Sequence, residues 1–83
     1  MTVMFEGPQA PPVVEHVEAV SFPLGGMLVL DFAGSDPAQR FVARCRHPDP
    51  CWAGHLRAGC SVRVPAGIII DKHVYTEVSI GAD

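Results

Sequence analysis

The chain lacks any long apolar run, any internal repeat and any low-complexity segment. No uninterrupted apolar segment approaches the roughly 18 residues that a membrane-spanning helix needs. Residues 1–12 have neither the basic start nor the continuous apolar stretch of a signal peptide. We therefore expect a soluble protein, either cytoplasmic or part of a virion, that has no membrane partner.

Short motifs for catalysis or cofactor binding are also missing. Gly25 and Gly26 are not accompanied by the lysine and the spacing of a phosphate-binding loop. A cysteine beside a histidine, as in Cys45 and His47, can form an activated nucleophile. However, no residue pattern marks an oxyanion hole or a substrate cleft. We therefore predict that the protein is not an enzyme and carries no cofactor.

Closely spaced cysteine pairs, which structural zinc sites usually contain, are absent. Thiols and imidazoles that could bind zinc nevertheless share one segment, at Cys45, His47, Cys51, His55 and Cys60. The cysteines are separated by five and eight residues, which is not a zinc-site spacing. We expect Cys45 and Cys60 to be ordinary buried thiols on inward strand faces. A disulfide within or between chains and a small zinc-stabilised module are the alternatives.

Charged residues are scarce, at 18% of the chain, whereas apolar residues make up 48% of its 83 residues. A domain of this size buries only about 60% of the surface that its unfolded chain exposes. The chain therefore has more apolar side chains than so small a core can cover, which predicts a protein partner or a homo-oligomer. The alternative is an ordinary monomer with scattered apolar residues on its surface. The net charge of −3 argues against a generally basic nucleic-acid-binding protein.

Apolar alternation and turn residues predict a mainly β domain with one short helix. Strands are expected over residues 13–22, 27–33, 40–47, 60–65 and 73–80, with residues 68–70 as a further strand or a buried bend. The expected inward side chains are those of Leu28, Leu30, Phe32, Cys60, Val62, Val64, Val74, Val78 and Ile80. The two faces of the first strand are both mixed in polarity, which predicts a bulge or bend near residues 15–18.

The expected helix follows the third of these strands. Asp49 is a suitable N-cap, Pro50 fits the first helical position, and a glycine follows the expected end. Trp52 and Leu56, four residues apart, would form the buried stripe. The order of three strands, a helix and two strands resembles the OB-fold over residues 13–80. The resemblance implies a small five-stranded barrel, and an SH3-like barrel or an open sandwich would fit the same order.

The N-terminal segment combines Val3, Met4 and Phe5 with three prolines and a glycine. Such a composition does not propagate a helix and suits an extended chain. We predict an extended arm over residues 1–12 that a neighbouring subunit would hold. A single small barrel domain would then occupy residues 13–83.

Strict alternation over residues 40–47 predicts a strand with two different faces. Its core face would carry Phe41, Ala43, Cys45 and His47, and its other face would carry Arg40, Val42, Arg44 and Arg46. The basic face would adjoin Met27 and Val29 of the preceding strand, which makes it a candidate binding surface. The apolar residues within it favour a protein over nucleic acid as the partner. A solvated basic face that binds no partner is the further alternative.

These observations predict a non-enzymatic structural or accessory subunit of a larger protein assembly, with a capsid-stabilising or tail component of a virion as one instance. The predicted partner-binding residues are Val3, Met4, Phe5, Met27, Val29, Arg40, Val42, Arg44 and Arg46. The alternative is an OB-like protein that binds single-stranded nucleic acid, with Arg40, Arg44 and Arg46 on the phosphates. That face lacks the aromatic side chains on which bases stack.

Overall fold

A computed structural model describes residues 1–22, 27–48, 56–57 and 59–81, and within them the protein is mainly β with one short helix. The strands are β1 (Thr2–Gly7), β2 (Ala10–His16), β3 (Ala19–Ser21), β4 (Leu28–Asp31), β5 (Cys45–Arg46), β6 (Leu56–Arg57), β7 (Ser61–Val64), β8 (Ile69–Ile70), β9 (His73–Val74) and β10 (Glu77–Gly81), and helix α1 spans Ser35–Arg44. The predicted mainly β class is confirmed.

The described strands pair through antiparallel ladders into three sheets. The N-terminal sheet has the order β10-β1-β2, the central sheet has the order β3-β4-β7-β6, and the small sheet has the order β5-β8-β9. These ladders do not join into a closed barrel within the described residues. The five-stranded OB-like barrel therefore stays a prediction.

Strand β1 is the middle strand of the N-terminal sheet, between β2 and β10. Val3 and Phe5 are fully buried, so they belong to the core. The prediction of an arm separate from the domain is therefore wrong for this strand, as is the prediction that Val3 and Phe5 contact a partner. The prolines do not prevent pairing, because Pro11 and Pro12 lie in β2, the edge strand, where a missing N–H costs little.

Helix α1 replaces the first half of the strand that alternation predicts over residues 40–47. Ala38, Phe41 and Cys45 are buried at helical spacing, and Pro37 in the first turn is compatible with a helix start. Phe41 and Cys45 are four residues apart, so they fit a helical period of 3.6 as well as a strand period of 2. The strand prediction is therefore wrong for residues 40–44, which are helical, and is confirmed only for the two residues of β5.

The predicted bend near residues 15–18 is confirmed as a crossing between two sheets. Strand β2 ends at His16 and β3 begins at Ala19. Between them, the Val17 N–H donates to the Met1 carbonyl at 2.9 Å and the Glu18 N–H donates to the Asp31 carbonyl at 2.7 Å. The chain therefore leaves the N-terminal sheet and enters the central sheet within two residues.

Four aromatic side chains occupy the centre of the core. The ring centroid of Phe41 lies 5.8 Å from that of Phe5 and 5.4 Å from that of Phe32, and Phe5 meets Tyr75 edge to face at 6.5 Å. Around this cluster pack the buried residues Val3, Val13, Val17, Leu28, Leu30, Ala38, Cys45, Val62, Val64, Ile68 and Ile70. The predicted inward residues of β4 and β7 are thus confirmed, whereas Cys60 is only half-buried, in the turn before β7.

The strand predicted over residues 73–80 is divided at Tyr75 into β9 and β10, which belong to different sheets. Tyr75 is 3% exposed and its hydroxyl donates to the Pro11 carbonyl at 2.7 Å. Val74, Val78 and Ile80, which alternation assigns to the core, are 50%, 42% and 44% exposed. The prediction that these three valine and isoleucine side chains are buried is wrong.

The helix predicted after Asp49 falls largely on residues 49–55, which lie outside the described residues. At its predicted end, Leu56 and Arg57 form β6 and pair with Val62 and Ser61 of β7. The prediction that the helix continues to Leu56 is therefore wrong.

Among the glycines of the described residues, Gly7 at the end of β1 is the one where a side chain has no room. A methyl group there would overlap the carbonyl oxygen of Val74. We expect Gly7→Ala to lower the free energy of unfolding by about 1 to 3 kcal/mol, because backbone must move to admit the methyl group. Gly81→Ala is the matched control, since Gly81 also lies at the end of a strand of this sheet and no atom beyond its chain neighbours lies within 4 Å of the position that its methyl group would take.

Urea unfolding followed by circular dichroism measures both variants. For Gly81→Ala we expect a change within about 0.5 kcal/mol, the usual range for a substitution that meets no special feature. Equal stability losses in the two variants would contradict the close approach of Gly7 to β9.

Candidate protein-binding edge

The residues predicted to bind a partner do not form one surface. Val3 and Phe5 are buried, Met4 is half-buried on the outer face of β1, and Met27 and Val29 are half-buried at β4. Arg40, Val42 and Arg44 lie on α1, whereas Arg46 lies in β5. The basic strand face that motivated the prediction therefore does not exist.

Arg44 is held by two carboxylates at the end of α1. Its Nε and Nη2 donate to the Asp71 carboxylate at 3.0 Å and 2.5 Å, and its Nη1 donates to Glu15 Oε2 at 3.1 Å. The Asp71 N–H also donates to the Arg44 carbonyl at 3.2 Å. The guanidinium thus joins α1 to β2 and to the β8–β9 turn, and its hydrogen bond to Asp71 lowers the pKa of that carboxyl group.

Arg46 is also used within the fold. Its Nη1 donates to the carbonyl oxygens of Ala43 at 3.1 Å and Cys45 at 2.7 Å. These are carbonyl groups at the C-terminal end of α1, where a positive charge is favourable. Of the three predicted phosphate contacts, Arg40 is the one whose side chain makes neither a hydrogen bond nor an ion pair with the described residues.

Asp71→Asn should remove a contribution to stability that depends on pH. The pKa of Asp71 in the folded state lies below its ordinary value of 3.8, so its contribution is complete above that value and is lost as pH falls through the folded-state pKa. The difference in urea midpoint between the wild type and Asp71→Asn should therefore be steady from about pH 7 to pH 5 and shrink toward about pH 2.

Asparagine is a suitable replacement because it accepts the φ of 49° that Asp71 has in the turn. Circular dichroism at each pH gives the two midpoints. A difference that is as large at about pH 2 as at about pH 7 would show that the ion pair contributes nothing.

Among the described residues, no three His, Cys, Asp or Glu side chains come close enough to hold a metal ion. Burial raises the pKa of the Cys45 thiol to about 12, so it stays protonated at neutral pH and is a poor ligand and nucleophile. His47 Nε2 lies 3.0 Å from the Ala66 carbonyl oxygen. Cys51 and His55 lie outside the described residues.

Alkylation should distinguish the two described cysteines. A pKa near 12 rather than 9 leaves Cys45 roughly a thousandfold less thiolate at pH 8, and its side chain is also 2% exposed. We expect iodoacetamide to modify the half-buried Cys60 in the folded protein while Cys45 stays unmodified, and both to react in urea. Peptide mass spectrometry follows each site, and equal rates in the folded protein would contradict the burial of Cys45.

Sequence alternation does not identify the outer edge of β10 as a surface. In the ladder, Val78 lies opposite Phe5 and Ile80 lies opposite Val3, so both point to the core side of the N-terminal sheet. They are nevertheless 42% and 44% exposed, because no described strand pairs with the outer edge of β10. This edge combines apolar side chains with a row of backbone groups, which is a surface that another strand can join.

An apolar groove of about 200 Å³ lies beside this edge. Leu28, Val64, Ile68, Tyr75 and Val78 are among its lining residues. A second hollow of about 470 Å³ lies between the β1–β2 turn and the β8–β9 turn and includes Lys72 and His73, which are exposed. The first of the two adjoins the β10 edge, so a strand added there would have apolar surface beside it.

Comparisons with known proteins do not supply a family. A scan against protein-family models, a search of curated proteins and a search of solved structures each found no significant match. In the described part of the chain, no helix is both long enough and apolar enough to cross a bilayer. The function proposed below therefore rests on the geometry of this chain.

Proposed function

We propose that the protein is a non-enzymatic binding subunit of a larger protein assembly and that it binds through the outer edge of β10. The observation that carries the proposal is the pair of half-exposed apolar side chains, Val78 and Ile80, on a strand whose outer edge no described strand covers. An added strand would gain backbone hydrogen bonds from the edge and side-chain contacts from this pair.

The two edges of the N-terminal sheet differ in how they are protected. Strand β2 carries Pro11 and Pro12, which lack the N–H that an added strand would need. Strand β10 has no proline and no lysine, and its one charged side chain is that of Glu77. Proteins usually block exposed edges with prolines or with charged side chains, lysine above all. An unblocked edge with apolar side chains is therefore consistent with a binding site.

The other predicted functions have less support. The virion instance depended on an extended arm lying on a neighbouring subunit, and that segment is β1 of the chain's own sheet. Binding of single-stranded nucleic acid by an OB-like barrel depended on a basic strand face, whereas Arg44 and Arg46 are engaged within the fold. In a zinc-stabilised module, Cys45 would not serve as a thiolate ligand, because burial keeps its thiol protonated.

Photo-crosslinking tests the position of the binding surface. A photo-reactive amino acid replaces Ser79, in the middle of β10, and in a matched variant it replaces Gln39, which is exposed on α1. In the cells that produce the protein, we expect a discrete crosslinked product from position 79 and none from position 39. The product should disappear when Ile80→Lys is added. Equal or absent crosslinking at the two positions would refute binding through β10.

A further inference from the structure

We propose that the partner at the β10 edge is a second copy of this chain, joined by antiparallel pairing of β10 with β10 about a two-fold axis at Ser79. This inference rests on the proposed function, because it names the partner of that same edge. The pairing would extend two three-stranded sheets into one sheet of six strands. Its register follows from the sequence and the existing ladder.

The two-fold register places matching side chains opposite each other. Directly opposed residues of an antiparallel pair point to the same face of the sheet. A suitable register therefore places each core-side residue of one copy opposite a core-side residue of the other. With Ser79 opposite Ser79, Val78 lies opposite Ile80 of the second copy, and the reverse pair is formed by symmetry. Both pairs lie on the core side of the sheet, where Val78 is already the ladder partner of Phe5 in β1.

The same register keeps the Glu77 carboxylates of the two copies apart. Glu77 lies opposite Gly81 of the second copy, so its carboxylate meets no side chain across the pair. The two Glu77 residues are then four residues apart along the strands, which is roughly 14 Å. Like charges directly opposite would oppose pairing. Charge repulsion therefore does not oppose the pairing of β10 with β10 of a second copy.

Other registers are less favourable for the pairing of β10 with β10. A shift of one residue places apolar side chains opposite outward-facing ones. A shift of two residues in either direction leaves two of the five residues of each strand without a strand partner. The register centred on Ser79 pairs all five residues of Glu77–Gly81. An unrelated partner strand would not require this symmetry about one residue.

The arrangement also stops at two copies. Each copy uses its β10 edge, and the opposite edge of the same sheet is β2 with Pro11 and Pro12. The interface is therefore closed, with the same patch used on both copies, and does not propagate into a fibre through this sheet.

Disulfide trapping tests the register. In a Cys51→Ser, Cys60→Ser background, Ser79→Cys places two thiols on opposed residues, whose Cα atoms lie about 4.5 to 5.5 Å apart in an antiparallel pair. This separation fits a disulfide. Glu77→Cys is the matched control, because its two copies are too far apart to bridge. We expect mild oxidation to give a covalent dimer with Ser79→Cys and not with Glu77→Cys. Equal crosslinking in the two variants would refute the register.

Light scattering on the untagged wild-type protein tests the dimer itself. We expect twice the chain mass, and we expect Ile80→Lys to raise the dimer dissociation constant at least about tenfold, because its charge would be buried opposite Val78. Val14→Lys is the control, since Val14 is 48% exposed in β2, and it should leave dissociation unchanged. Circular dichroism verifies that both variants are folded.

The outcomes separate this inference from the proposed function. If position 79 crosslinks to a different protein while Ser79→Cys gives no covalent dimer and the wild type is monomeric, self-pairing is wrong and binding through β10 stands. If position 79 crosslinks to nothing and the wild type is monomeric, both are wrong. A covalent Ser79→Cys dimer together with a dimeric wild type supports both.

Discussion

The fold depends on the aromatic contacts of Phe41, which connect elements of two different sheets. Its ring stacks on Phe5 of β1 and packs against Phe32, which follows β4, so one helical side chain joins the N-terminal and central sheets. Tyr75 adds an edge-to-face contact with Phe5 and a hydrogen bond to the Pro11 carbonyl. Such ring pairs contribute about 0.5 to 1.5 kcal/mol each beyond the apolar area that they bury. In a chain with so small a core, these contacts decide how the three sheets are placed.

Phe5 of this cluster lies in β1, and the position of β1 between two strands leaves β10 as an edge, which is the candidate binding edge. Val3 and Phe5 are completely buried in β1, and β1 is flanked by β2 on one side and by β10 on the other. The flanking strands then become the edges of the sheet. The prolines of β2 make one edge unsuitable for pairing, whereas β10 keeps its backbone groups and presents Val78 and Ile80. Core packing and the candidate surface are therefore consequences of one constraint.

Local alternation was sufficient to predict β4 and β7, where Leu28 and Leu30 face inward in the way that the period of two requires. It was not sufficient for α1, because the spacing of Phe41 and Cys45 satisfies both periods and only Ala38, three residues earlier, favours the helix. The candidate binding edge could not be predicted from the sequence at all. Alternation shows that Val78 shares a face with core residues, but only long-range pairing shows that β10 ends the sheet.

The N-terminal sheet joins β1 to a strand that lies some seventy residues later in the chain. During translation, β1 therefore emerges long before β10 has been made, and its only available neighbour is β2. A two-stranded hairpin is marginal in water, so the nascent chain has no stable version of this sheet to fold into early. Completion must wait for β10, and pairing at such sequence separation is slow. Until then the ribosome-bound chain carries Val3 and Phe5 uncovered, which makes this the interval in which a chaperone has most to protect.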